Sequence, residues 1–232
     1  MTILAFDCAS QTASGCLWRD GVPVAHTTLN NGLTHSQNLL PLIDGLFALS
    51  GLAPQDADLV GVTNGPGSFT GLRIGLATAA GFAFGQDIRV CPVSSLQAAA
   101  HALAHTGDLV CAVMDARCRQ VYTALFCSDG HTLARLTPDE ALSLDQLRER
   151  LSAYDKRIWL TGDGAAICES SLQLAHAQKA PVPLAIPQAW SVAQLTDEMN
   201  KQGASVPPED LRAVYLRVPQ AERERLKKEN RL

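Results

Sequence analysis

One order of elements is spelled twice along the chain, and this duplication restricts it to folds built from two like units. Residues 3–7 form an apolar run ending in an acid, and 14–18 a second run. Arg19-Asp20-Gly21 is a hairpin turn into a third, 22–29. Thr34 and Gln37 make a capping box, after which Leu39, Leu40, Ile43, Leu46 and Phe47 recur at helical spacing until Gly51 stops the helix. Pro41 lies beyond the first turn, where a kink is expected. A strand at 59–63, a helix at 69–84, a strand at 88–91 and a helix at 95–105 complete the order βββαβαβα. From 109 it repeats: strands at 109–114 and 121–126, a turn at Asp129-Gly130 with a strand to 136, and a helix from the Ser143 cap to 151. A strand at 158–161, a helix at 165–177, a short strand at 184–186 and a helix from a Ser191 cap to 202 follow. The later strands are separated by helices and are therefore expected to run parallel, giving two mixed sheets flanked by helices, an α/β protein of two tandem units. The expected division is 1–106, 107–215 and a basic terminal helix or tail at 216–232.

Apolar residues make up 47% of the 232 and charged residues 18%, with 17 Gly and 12 Pro, which excludes disordered, collagen-like and low-complexity chains. The uncharged stretch 74–86 falls short of the ~18 apolar residues of a membrane span. Asp7 interrupts the first apolar run and no basic residue precedes Arg19, so no secretory signal is expected and the cytosol is the expected compartment. The seven Cys are an odd number with no CxxC, which reads as buried free thiols. Net charge is -4, yet 217–232 holds six Arg or Lys and three Glu. That segment reads either as a solvated amphipathic helix or as an RNA contact. Trp18, Trp159 and Trp190 form no stacking stripe, and the acidic balance points to no phosphate-binding surface.

The segment Gly65-Pro66-Gly67-Ser68-Phe69-Thr70-Gly71 joins a strand to a helix N-terminus, where free N–H groups favour an anion. Gly65, Gly67 and Ser68, with Asp7 at the end of the first strand, are candidate phosphate or nucleotide contacts. The spacing is neither a dinucleotide fingerprint nor a P-loop, so the other reading is a structural loop whose carbonyls Arg73 satisfies. The helix that follows carries small residues on two faces, Gly71, Gly75 and Ala79 on one and Ala77, Gly81 and Gly85 on another. Gly costs ~1 kcal/mol in a helix interior, so two close neighbours are implied, one of them the chain's own sheet. His35 reads as a helix-packing residue or as a catalytic imidazole, with no nucleophile and orienting acid at recognisable spacing. His101 and His105 form an HxxxH near a helix C-terminus without the glutamate of an HExxH, and read as dipole-stabilised surface residues.

The duplicated order resembles the actin-like ATPase and sugar-kinase superfamily, which implies two domains clasping a nucleotide. ILAFDCASQTASGCLW at 3–18, HSQNLLPLID at 35–44, NGPGSFTGLRIGLATAAGFAFG at 64–85 and YLR at 215–217 together resemble the TsaB family, densely over 1–95 and thinly thereafter. That resemblance implies a non-catalytic subunit that binds and stabilises a TsaD-like catalytic subunit as a heterodimer, for threonylcarbamoylation of the adenosine beside the tRNA anticodon. A TsaE-like ATPase and tRNA would join through the complex, and a homodimer would form when TsaD is absent. The implied partner surface is Thr34, His35, Asn38, Leu39 and Leu42 on one helix, with Gly71, Leu72, Gly75, Thr78, Ala79 and Phe82 on the next. The TsaD relatives hold a metal through an HxxxH pair where this sequence has Ser95 and Ala99. Their third ligand, an Asp, faces Pro187-Gln188-Ala189-Trp190-Ser191. No metal is therefore expected. Met114 to Arg119 lacks their Ser-Gly-Gly phosphate turn, and Gly162-Asp163-Gly164 keeps a remnant of a nucleoside turn, so no cofactor is expected beyond weak nucleotide binding. The alternative function is an actin-like ATPase or phosphotransferase acting alone. A glycoprotease, an old association of the family, is opposed by the missing metal ligands.

Overall fold

The computed structural model describes residues 1–217; the rest of the basic terminal segment, 218–232, lies outside them. β1 (Thr2–Asp7), β2 (Ala13–Arg19) and β3 (Val22–Leu29) open the chain as an antiparallel set. The β2–β3 turn uses left-handed Asp20 and Gly21. α1 (His35–Ser50) begins at the Thr34 cap, where the Thr34 N–H donates to Gln37 Oε1 at 3.1 Å, runs on through Pro41 and stops at left-handed Gly51. β4 (Leu59–Gly65), α2 (Phe69–Ala83), β5 (Arg89–Ser94) and α3 (Ser95–His101) follow, and the sheet order is β3-β2-β1-β4-β5 with β1, β4 and β5 parallel.

The second sheet repeats the plan with β6 (Leu109–Asp115), β7 (Gln120–Ser128), β8 (Leu133–Arg135), β9 (Glu140–Ser143), α4 (Leu144–Ser152), β10 (Ile158–Thr161), α5 (Ala165–Leu172) and β11 (Ala177–Lys179). Its order is β11-β10-β6-β7-β8, with β9 also paired to β7. α6 (Val182–Ala185) and α7 (Ala189–Lys201) complete the helices. The two mixed sheets are those expected from the sequence.

α1 and α2 cover one face of the first sheet, burying Leu39, Leu42, Leu46, Phe47, Ala79 and Ala83 against Leu4, Phe6, Leu17, Val60 and Val62. The other face carries α7. Ala189, Val192, Ala193 and Leu195 pack there against Ile3, Ala5, Cys16, Leu59 and Val93, so a helix that follows the second sheet in sequence is cemented to the first. Its entry is pinned by the Ala189 N–H donating to Ser14 Oγ at 2.9 Å and by Thr28 Oγ1 donating to Gln188 Oε1 at 3.0 Å. α3 lies between the sheets, sharing Leu96, Ala99, Ala100 and Leu103 with Val110, Ala112, Met114 and Phe126.

Several boundaries differ from the sequence expectation. α7 starts at Ala189, not at a Ser191 cap; Ser191 is buried inside it. α5 ends at Leu172 because Gln173 turns left-handed, freeing residues as far as 179 to add β11 beside β10. Of the strand expected at 184–186, Leu184 and Ala185 belong instead to the short helix α6, whose first turn carries Pro183, a position proline favours, and Ile186 caps its end. α3 ends at His101, with turns carrying the chain to 107, and β9 has no counterpart in the sequence reading. Five of the cysteines are buried, Cys127 is half-buried and Cys118 is exposed. Burial pushes the Cys16 and Cys168 thiols up to about 12, which keeps them protonated and unreactive. Among the described residues no helix is long and apolar enough to cross a membrane.

Candidate functional site

Four turns, those after β1, β4, β6 and β10, converge between the sheets on a cleft of about 470 Å³. Gly67 and Ser68 line it; Asp7 and Gly65 do not. Asp7 is 1% exposed and acts on its own chain. Its Oδ1 accepts from Thr63 Oγ1 at 2.5 Å and from the Ala9 N–H at 3.1 Å, tying the turn after β1 to the end of β4. Oδ2 is buried without a partner, and burial holds the carboxyl above its usual range against the pull of those two hydrogen bonds.

The 65–68 loop packs backbone to backbone on the turn after β1. The Ser68 N–H donates to the Ala9 carbonyl at 2.7 Å, and a Cβ on Gly67 would stand 2.4 Å from that oxygen. Ser68 Oγ accepts from the Gly71 N–H at 3.2 Å as the cap of α2. A Cβ on Gly71 would meet the Cys8 carbonyl at 2.1 Å and the His35 ring at 3.0 Å. The glycines therefore serve close approach, the structural reading of this loop. His35 Nε2–H donates to the Ser10 carbonyl at 2.9 Å and wedges the start of α1 against the same turn. Arg73 does not satisfy loop carbonyls as expected. Its guanidinium lies 3.9 Å over the Phe69 ring, and its Nε donates to Tyr215 OH at 3.3 Å.

Across the cleft, the β6–β7 hairpin holds Arg117, Cys118 and Arg119 at φ 63, 55 and 56, three consecutive left-handed residues without a glycine. Asp115 accepts from the Arg117 N–H at 2.7 Å and pairs with its guanidinium at 3.3 Å. Asp163 accepts from the Asp115 N–H at 3.1 Å. Desolvation by the cleft walls, aided by the negative charges of Asp115 and Asp7, pushes the Asp163 carboxyl up to about 6. Arg217 crosses from the first sheet's side and donates to the carbonyls of Ala116 and Arg117.

A magnesium–nucleotide, which the actin-like fold implies, does not fit these residues. No lysine lines the cleft. Asp115 and Asp163 line the cleft with carboxylates, which disfavour phosphate, and its two arginines, Arg117 and Arg217, are committed to Asp115 and to backbone carbonyls. Among the described residues no three His, Cys, Asp or Glu side chains gather to hold a metal. Ser95 and Ala99 of α3 are buried. His101 is half-buried rather than fully at the surface: it packs edge-on against Trp190 with ring centroids 6.0 Å apart, and burial lowers its pKa.

The expected partner surface is redistributed by the fold. Asn38, Leu39, Leu42, Gly71, Leu72, Gly75 and Ala79 are buried within the chain itself. A Cβ on Gly75 would point at Cys8 Cβ, 3.5 Å away, and Val62 Cγ2, 3.6 Å away. The Gly71/Gly75/Ala79 face thus meets the chain's own sheet. Of the other small-residue stripe, Ala77 and Gly81 are exposed on the outward face of α2, with nothing within 4 Å of a Cβ on Gly81, while Gly85 is exposed in the turn after the helix ends at Ala83. Of the remaining residues, Thr34 is exposed, while His35, Thr78 and Phe82 are half-buried. Leu40, Leu49 and Phe84 stand 60%, 82% and 82% exposed on or beside these two helices. The sequence reading missed the cluster of Phe69, Arg73 and Tyr215, although the YLR run at 215–217 was one of the quoted motifs.

Two like sheets whose strand ends face one cleft define a two-unit α/β protein of actin-like fold. Residues 31–196 match the family model described as "TsaD: tRNA N6-adenosine threonylcarbamoyltransferase". The "tRNA threonylcarbamoyladenosine biosynthesis protein TsaB" of Escherichia coli is 31% identical, over 94% of this chain and 95% of the relative. The Bacillus subtilis protein of the same name is 32% identical, over 75% and 76%. YeaZ from Pseudomonas aeruginosa superposes with a TM-score of 0.81 at 25% identity, covering 93% of this chain and 99% of that structure. The chain belongs to this family, among the proteins named TsaB.

Proposed function

We propose that this protein works in the biosynthesis of tRNA threonylcarbamoyladenosine as a non-catalytic subunit that binds and stabilises a TsaD-like transferase through the outer faces of α1 and α2. The observation that carries this reading is the pair of helices itself. They are fastened to the sheet by their inner stripes, yet they leave Ala77 and Gly81 exposed on α2 and Leu40 and Leu49 exposed on α1, with Phe84 exposed just past the end of α2. Small residues flanked by exposed large apolar ones suit the close approach of a second helical pair. A catalytic role for this chain finds little support in the cleft, where Asp7 is spent on Thr63 and Ala9 and the arginines on Asp115 and the backbone. A TsaE-like ATPase and tRNA would join the same assembly.

The test combines the full chain with a TsaD-type subunit and assays threonylcarbamoyl-adenosine formed on tRNA from threonylcarbamoyl-adenylate. The reading requires product only when both are present and copurification of the two. Product from this chain alone would defeat it.

A further inference from the structure

We propose that Asp44 fixes the chemistry of the partner that covers α1 and α2: the TsaD-type subunit sets an arginine or lysine side chain against it. This rests on the proposed function, and adds to it the charge that the partner's surface must carry.

Besides His35, the 16 residues of α1 and 15 of α2 hold two charged side chains, Asp44 and Arg73, far below the 18% of the whole chain. Burial against the sheet does not account for the shortage, because Leu40, Ala48 and Leu49 are exposed on α1 and Ala77 and Gly81 on α2. Depletion of charge is how the core of an interface differs in composition from the rest of a protein's exterior. Arg73 is engaged at the start of α2, its guanidinium 3.9 Å over the Phe69 ring and its Nε donating to Tyr215 OH at 3.3 Å. Asp44 is left as the one carboxylate on the two helices.

Asp44 is exposed in the middle of α1, beyond the stabilising reach of the helix N-terminus. Its neighbours on the helix surface, three and four positions away, are Leu40, Pro41, Phe47 and Ala48, all uncharged. No ion pair among the described residues includes it. In water such a carboxylate is hydrated at no cost. Covered by an apolar surface, it would lose that hydration and gain no partner, a penalty that works against docking. An ammonium or guanidinium opposite it offsets the penalty, and the arginine fork does so with two hydrogen bonds. A second copy of this chain would bring the same carboxylate, and the one cation of its α1 and α2 besides His35 is engaged by Phe69 and Tyr215. The face is matched to a different, cation-bearing subunit better than to itself.

Isothermal titration calorimetry of the full chain with the TsaD-type subunit, at two salt concentrations, tests this. Asp44→Asn keeps the shape and removes the charge, and should weaken binding about ten-fold or more, while Asp44→Arg should abolish it. Binding of the parent should weaken more steeply with salt than that of Asp44→Asn. Both variants should melt with the parent, since Asp44 is exposed. If Asp44→Asn binds within about two-fold of the parent, or more tightly, no cation faces Asp44 and the inference fails. Ala77→Leu separates that result from failure of the docking face. Binding lost in Ala77→Leu but unchanged in Asp44→Asn removes only the cation, whereas binding that neither change affects defeats the docking face as well.

Discussion

Phe47 of α1 and Phe82 of α2 stack with ring centroids 6.1 Å apart and planes 6° from parallel. The pair joins the two helices above the sheet, so their outer faces act as one surface. Phe82→Ala removes the stacking and part of the packing beneath it, and urea unfolding should show a loss of about 1–3 kcal/mol. Partner binding should weaken in parallel, because the helices lose their mutual register.

The three glycines of α2 separate by what lies beneath them. Gly71→Ala drives a methyl into the Cys8 carbonyl and the His35 ring, which should cost about 1–3 kcal/mol. Gly75→Ala places its methyl at ordinary contact distances of 3.5–3.7 Å and should be near neutral, with helix propensity offsetting what little adjustment is needed. Gly81→Ala, with open space outward, should stabilise by about 0.5–1 kcal/mol. Thermal melts of the three variants should fall in that order.

Stability should fall as pH rises from about 4 to about 6 through Asp163. Its folded pKa is about 6, above the ordinary carboxylate value of 3.8. The folded state therefore holds this proton more tightly than the unfolded chain, and deprotonation across that window favours unfolding. Asp7, also raised by burial, adds to the effect in the same direction. Asp163→Asn keeps an acceptor for the Asp115 N–H and removes the charge. It should melt higher than the parent at pH 7 and show a flatter profile between pH 4 and 6; an unchanged profile would contradict the assignment.

Much of the fold was legible because its signals are local. The Thr34–Gln37 box, the Asp20-Gly21 turn and the alternation of apolar runs mark elements without reference to anything distant. What the sequence could not show is which small-residue stripe faces inward, since Gly71/Gly75/Ala79 and Ala77/Gly81/Gly85 have the same spacing, nor that α2 ends at Ala83, before Gly85. The choice is made by Cys8 and Val62 beneath Gly75, residues that sequence separation hides. In the same way α7 ends on the first sheet through Ser14 and Thr28, more than 150 positions away. The resemblance singled out the two helices, but the face it implied, Gly71/Gly75/Ala79, is the one that packs on the chain's own sheet.

Leucine substitution on the two stripes of α2, read by copurification with a TsaD-type subunit and by thermal melting of the isolated chain, tests the docking surface most directly. Ala77→Leu and Gly81→Leu should abolish copurification while the isolated chain melts within a few degrees of the parent. Gly75→Leu should lower the melting temperature, because its side chain must displace Cys8 and Val62. If Ala77→Leu and Gly81→Leu leave copurification intact, the outer faces of α1 and α2 are not where this protein meets its partner.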